Sequence, residues 1–121
     1  QEFSSAEQAF MYAKARAFPG NGALANEILA TEDYTILKAH GRNVVNFAPE
    51  EWTQPAVATQ TVAQREKFRQ NPHLLGGLLA TGDTPIHQVN PNDTVWSFPG
   101  EDKLGCILGA VRAEVWGDML V

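Results

Sequence analysis

The chain has 121 residues, 44% of them hydrophobic, which is enough to bury a core without disulfide or metal support. Its 14 acidic and 9 basic residues give a formal charge of −5, and the basic ones are scattered, so the basic patch that non-specific nucleic-acid binding requires is missing. The lone Cys106 excludes an internal disulfide, and no apolar run reaches the roughly 18 residues of a membrane span or has the layout of a signal peptide. One domain over residues 1–121, with no membrane partner and in a reducing cytoplasm, is the expectation.

The first predicted helix lies in SSAEQAFMYAKARAF. Ser4 and Glu7 fit a capping box, in which a Ser side chain and an acid three residues on satisfy the free amides of the first turn. Lys14 follows Glu7 by seven residues, which at about 100° per residue brings the two side chains to within roughly 20° of each other. Ala6, Ala9, Phe10, Ala13 and Ala17 form a separate apolar stripe, leaving Glu7 and Lys14 at its border, where a cleft would run. Glu7 therefore has two readings on spacing alone, a helix cap or an acid in a site.

Pro19, Gly20, Asn21 and Gly22 end that helix. Ala23–Ala30 and Asp33–Ala39 read as two short helices, the second closed by Gly41 as its C-terminal cap. Asn43–Phe47 reads as an extended crossing. Pro55 suits a first helical turn, and a long amphipathic helix runs on to Arg69 with Val57, Thr61, Val62, Arg65 and Phe68 on its apolar face. Asn71 and Pro72 start a further helix whose buried face is Leu74, Leu75, Leu78 and Leu79. Pro85–Val89 is β-prone, Pro91–Lys103 is irregular, and Leu104–Trp116 makes the last helix. The fold class expected is a mainly helical α+β domain with a small β-sheet.

His40, His73, His87 and Cys106 share no spacing that sets two metal ligands on one face, so a metal site is unsupported. Asp93 stands three residues before Trp96 in a loop rich in Pro and Gly, which reads either as a charge beside a flat ligand or as a turn Asp next to a core-edge Trp. Trp52 likewise reads as a hydrophobic staple or as a platform for a base.

Taken in order, these fragments resemble the NADAR (YbiA-like) family. SAEQAFMYAKA matches the family's S-x-E-H/Q segment and its later Lys as Ser5, Glu7, Gln8 and Lys14, with Gln8 where His is commoner. Gly41, Arg42 and Trp52 follow, then KFRQNPHLLGGLLATGD, then Asp93 and Trp96 in DTVW, and finally LGAVR ending at Arg112. The family usually carries a strand and a Gly turn ahead of the first motif, and this chain starts at the motif, so either an open cleft or an exposed apolar patch, with self-association as a homo-oligomer, is expected.

The resemblance implies an N-glycosidase that hydrolyses a ribose–nitrogen bond, in a ribosylaminopyrimidine phosphate of the riboflavin pathway or in an ADP-ribosylated base of DNA. No metal or redox cofactor is implied. The alternative is a non-catalytic module that binds ADP-ribose or an NAD derivative. For catalysis, Glu7 and Asp93 are the carboxylates that would stabilise positive charge developing on the ribose. Lys14 would bind phosphate or attack C1′ of an opened sugar. Trp52 and Trp96 would wall the base, and Arg42 would contact the substrate.

Overall fold

The structure, a computed structural model, describes residues 2–90 and 92–119. Among these it has six helices: α1 (Ala6–Ala17), α2 (Gly22–Leu29), α3 (Tyr34–Arg42), α4 (Pro49–Gln70), α5 (Pro72–Ala80) and α6 (Lys103–Met119). They form two compact units, Gln1–Thr59 and Gln60–Val121, with α4 running through the boundary.

In the first unit α1, α2 and α3 pack together. Their core is Phe10, Ala15, Phe18, Ala25, Ile28 and Leu37, joined by Val44 and Trp52. The buried line of α1 is Gln8, Phe10 and Ala15, about one residue round from the expected alanine stripe, and Ala17 is exposed. The reason is the packing partner. Phe10 and Phe18 set the apolar direction by meeting Trp52, at ring-centroid distances of 5.6 and 6.3 Å, and small alanines have too little surface to compete. Gly41 is not a cap: α3 continues through it to Arg42, and a side chain at 41 would run into the sulfur of Met11 on α1. A glycine here allows the two helices to approach closely.

The expected extended crossing at 43–47 is a pair of turns held by one buried side chain. Asn21 Oδ1 accepts from Val45 N–H at 2.8 Å, and Asn21 Nδ2 donates to the carbonyls of Phe18, Pro19 and Val45 at 3.1, 3.2 and 3.0 Å. These backbone groups have a side chain as partner and need no neighbouring strand.

Helix α4 begins at Pro49, six residues ahead of the expected start, and Pro55 lies inside it. Pro49 takes the first-turn position, where a missing N–H costs nothing. Its buried face is Trp52, Ala56, Gln60 and Gln64, each four residues from the last, while Val62 is 52% exposed. The face expected from Val57, Thr61 and Val62 is thus turned by about one residue, and two glutamines are buried, with Gln64 Nε2 donating to Gln60 Oε1 at 3.3 Å. In the second unit α5 packs on α6, but of the four leucines expected on its buried face only Leu78 is buried, and Leu74 is 45% exposed.

The small β-sheet is absent among the described residues. Pro85–Val89 is irregular, and its β-type pairing is reduced to one isolated bridge, Val89 with Phe98. Side chains meet backbone groups in and just ahead of this stretch, and Gln88 O accepts from Phe98 N–H. Arg112 donates to Thr84 O at 2.7 Å, and Asp102 accepts from Gln88 N–H at 3.0 Å. Pro91, where the irregular segment was expected to begin, lies outside the described residues.

Replacing Asn21 by Ala removes the acceptor of Val45 N–H and the donor to the carbonyls of Phe18, Pro19 and Val45, at about 0.5–1.5 kcal/mol per lost bond. Asn21→Ala is therefore expected to lower the thermal midpoint by several degrees, measured by circular dichroism.

Candidate active site

The N-terminus of α1 divides its work between two adjacent residues. Ser5 is the N-cap, and its Oγ accepts from Gln8 N–H at 3.0 Å. The reciprocal bond comes from Gln8, whose Oε1 accepts from Ser4 N–H at 2.6 Å. The capping pair is thus Ser5 and Gln8, one residue on from the expected Ser4 and Glu7. Gln8 also donates from Nε2 toward three carbonyls after and at the end of α2, those of Ile28, Leu29 and Thr31, at 3.1, 3.2 and 2.9 Å. It is 3% exposed, so it is consumed by structure.

Glu7, released from capping, is half-buried beside it. Burial pushes its carboxyl above the usual carboxylate range, and the Lys38 ammonium on α3 partly offsets the rise. Between the unfolded and folded values the native state holds more protons, so the contribution of Glu7 to stability falls as pH rises through that window. The tension marks a group kept against its preference.

Lys14 lies two turns along the same helix, also half-buried. Its Nζ donates to Gly41 O at 2.9 Å, one of the carbonyls left open at the end of α3, and sits 4.6 Å from the centroid of the Phe47 ring. Burial moves its pKa down. Arg42 follows Gly41 directly and is exposed. Lys38 and Phe47, which set the surroundings of Glu7 and Lys14, were not singled out from the sequence, because each acts across helices with no local spacing to betray it.

Trp52 takes the packing reading. At 7% exposure, wedged against Phe10 and Phe18, it has no ring face free for a base.

In the second unit Asp93 is a turn residue: its Oδ1 accepts from the amides of Val95 and Trp96 at 3.0 and 2.9 Å. This orients the carboxylate and fixes the backbone of Trp96, whose side chain is half-buried. The turn is docked on the start of α6 through Lys103 N–H to Val95 O and Leu104 N–H to Trp96 O, both at 3.1 Å. An open groove of about 650 Å³ runs between Gly82–Asp83 and the face of α6 that carries Gly109, Ala113, Trp116 and Gly117. It contains none of the expected site residues. No group of three His, Cys, Asp or Glu side chains able to hold a metal occurs among the described residues. No helix there is long and apolar enough to cross a membrane.

Comparison with known proteins gives consistent results. The family model for the NADAR domain matches residues 1–116. An N-glycosidase, R617 of Acanthamoeba polyphaga mimivirus, is 33% identical over 128 aligned positions, covering 93% of this chain and 75% of that protein. The riboflavin biosynthesis protein VVA0006 of Vibrio vulnificus is 32% identical over 96 positions, covering 76% of this chain but 26% of its own length. The NMR structure of the E. coli protein YbiA superposes with a TM-score of 0.83 at 23% identity, covering 98% of this chain and 70% of that one. The YbiA likeness speaks for the fold, and the names of the two relatives support a glycosidase-type function.

Carboxyl-detected NMR titration is expected to find Glu7 titrating above the ordinary glutamate range. In Lys38→Met it should move higher still, because the attraction of the Lys38 ammonium is gone.

Proposed function

The chain belongs to the NADAR family, and on that premise we propose that it is an N-glycosidase hydrolysing a ribose–nitrogen bond in a ribosylaminopyrimidine phosphate or an ADP-ribosylated base. The observation that carries the proposal is the division of labour at α1. Gln8 does the capping, so the half-buried Glu7 carboxylate is left for chemistry.

Breaking C1′–N draws electrons to the base and leaves positive charge on the ribose, which a preorganised carboxylate stabilises more in the transition state than in the ground state. Glu7 has that role, and Asp93 is the second carboxylate, oriented by its turn. Lys14, with its proton made easier to lose, either holds the substrate phosphate or adds as a neutral amine to C1′ of an opened sugar. Arg42, exposed at the end of α3, is suited to phosphate, and Trp96 to one side of the base. The reading places the reaction in the cytoplasm and requires no metal.

Wild-type protein should release ribose phosphate from a ribosylaminopyrimidine phosphate, or ADP-ribose from ADP-ribosylated DNA, equally well with EDTA present. Glu7→Gln should lose about two to three orders of magnitude in rate, the usual worth of one such charge. Full activity in Glu7→Gln would shift the principal charge-stabilising role to Asp93. Tight binding with no release by the wild type would instead identify a binding module for ADP-ribose or an NAD derivative.

A further inference from the structure

His87 and Asp102 form a pair in the second unit that the roles assigned above do not use. His87 Nδ1 lies 2.6 Å from Asp102 Oδ2. Asp102 is 7% exposed, and its other oxygen accepts from Gln88 N–H at 3.0 Å. The His87 hydrogen bond, helped by the Gln88 and Gly105 amides, holds the carboxyl below its ordinary value, so it is a carboxylate and the His nitrogen facing it carries the proton. The backbone is shaped around this group. Asp102 adopts φ of 52°, a left-handed conformation unfavourable for a side chain. A Cβ at Gly105 would lie 2.5 Å from both carboxylate oxygens. The imidazole is clamped on its other side by Phe98, with ring centroids 4.7 Å apart. Even so the His87 side chain is 47% exposed.

One ring nitrogen is thus fixed on a buried carboxylate while the ring keeps a surface open to water. That arrangement orients a proton-transfer group: a carboxylate selects the tautomer and supports the imidazolium, and the second nitrogen exchanges protons with a substrate. A pair that served only to brace the start of α6 would not need half of the imidazole exposed. The ring also belongs to the same loop closure as Asp93 and Trp96. Asn90 N–H donates to Phe98 O, Asp93 N–H donates to Asn90 O, and Val89 bridges Phe98.

We infer that His87 is the acid that protonates the leaving base, with Asp102 as its positioning residue. The inference rests on the N-glycosidase reading, which supplies a leaving group in need of a proton. As the C1′–N bond breaks, its electron pair stays with the base nitrogen, which takes the proton from Nε2 of the His87 imidazolium. His87 is left neutral, keeping its Nδ1 proton, which it donates to the Asp102 carboxylate. Water then adds to C1′, and the proton it sheds returns to Nε2. Among the described residues the ring is paired with the Asp102 carboxylate and lies against the neutral ring of Phe98.

The test is the pH profile of kcat/KM for wild type, His87→Asn and Asp102→Asn on whichever of the two substrates the wild type hydrolyses. Asn at 87 can still donate to Asp102 from the place of Nδ1 but has no group in the place of Nε2. If His87 is the acid, His87→Asn keeps its thermal midpoint, loses about 100-fold or more in kcat/KM, and no longer shows the fall in rate at high pH. Asp102→Asn removes the charge that favours the imidazolium, so the high-pH fall moves to lower pH. A His87→Asn enzyme within a few-fold of wild type, with the same profile, overturns the inference and leaves the N-glycosidase reading standing. Should His87→Asn not fold, an unmoved profile in Asp102→Asn overturns it instead. A wild type inactive on both substrates overturns the reading and the inference together.

Discussion

The first unit depends on one buried amide. Gln8 has two N–H donors and one carbonyl oxygen, and the structure engages all of them: Oε1 closes the first turn of α1, and Nε2 is shared among the three carbonyls with which α2 and its exit turn finish. Helix ends are where backbone groups go unsatisfied, and here a start and a finish are met by a single side chain. The bond fixes the rotation of α1 about its axis. With Gln8 and Ala15 turned inward, Glu7 and Lys14, each one residue earlier, come to the edge of the buried line. Changing residue 8 would therefore move the two charges as well as weaken the fold.

The same edge position accounts for their electrostatics. A carboxylate and an ammonium in full solvent would keep ordinary proton affinities, whereas here burial moves each toward its neutral form. Among the described residues neither group has a close ion pair. Glu7 feels Lys38 at the level of a field, and Lys14 is held by a carbonyl and an aromatic face. Side chains kept half-desolvated without a direct counter-charge fit a site that meets a charged, changing substrate better than one that only stabilises a fold.

Much of this was legible in the sequence, and the failures have identifiable causes. All six helices were anticipated, since Pro, Gly and Asn punctuate them. The Glu7 to Lys14 spacing correctly placed both residues on one flank, because a seven-residue separation survives any small error in helix phase. What periodicity could not give was the phase itself. On α1 and α4 the buried lines are turned by about one residue, since Phe10, Phe18 and Trp52 choose the inward direction through contacts distant in sequence. For the same reason Trp52 offered two readings and the structure takes the packing one. The expected extended crossing at 43–47 and the β-prone stretch at 85–89 found side chains, Asn21 and Asp102, where strands would have needed strands. His87 and Asp102, fifteen residues apart across an irregular loop, leave no local signature at all.

The central claim is that holding and chemistry are separated between Gln8 and Glu7, and thermal unfolding of Gln8→Ala beside Glu7→Gln tests it most directly. The account predicts that Gln8→Ala, which removes a buried side chain bonded to Ser4 N–H and to the carbonyls of Ile28, Leu29 and Thr31 at about 0.5–1.5 kcal/mol per bond, loses many degrees, while Glu7→Gln stays within a few degrees of wild type. A midpoint that falls sharply in Glu7→Gln and holds in Gln8→Ala would make Glu7 the cap and contradict the account.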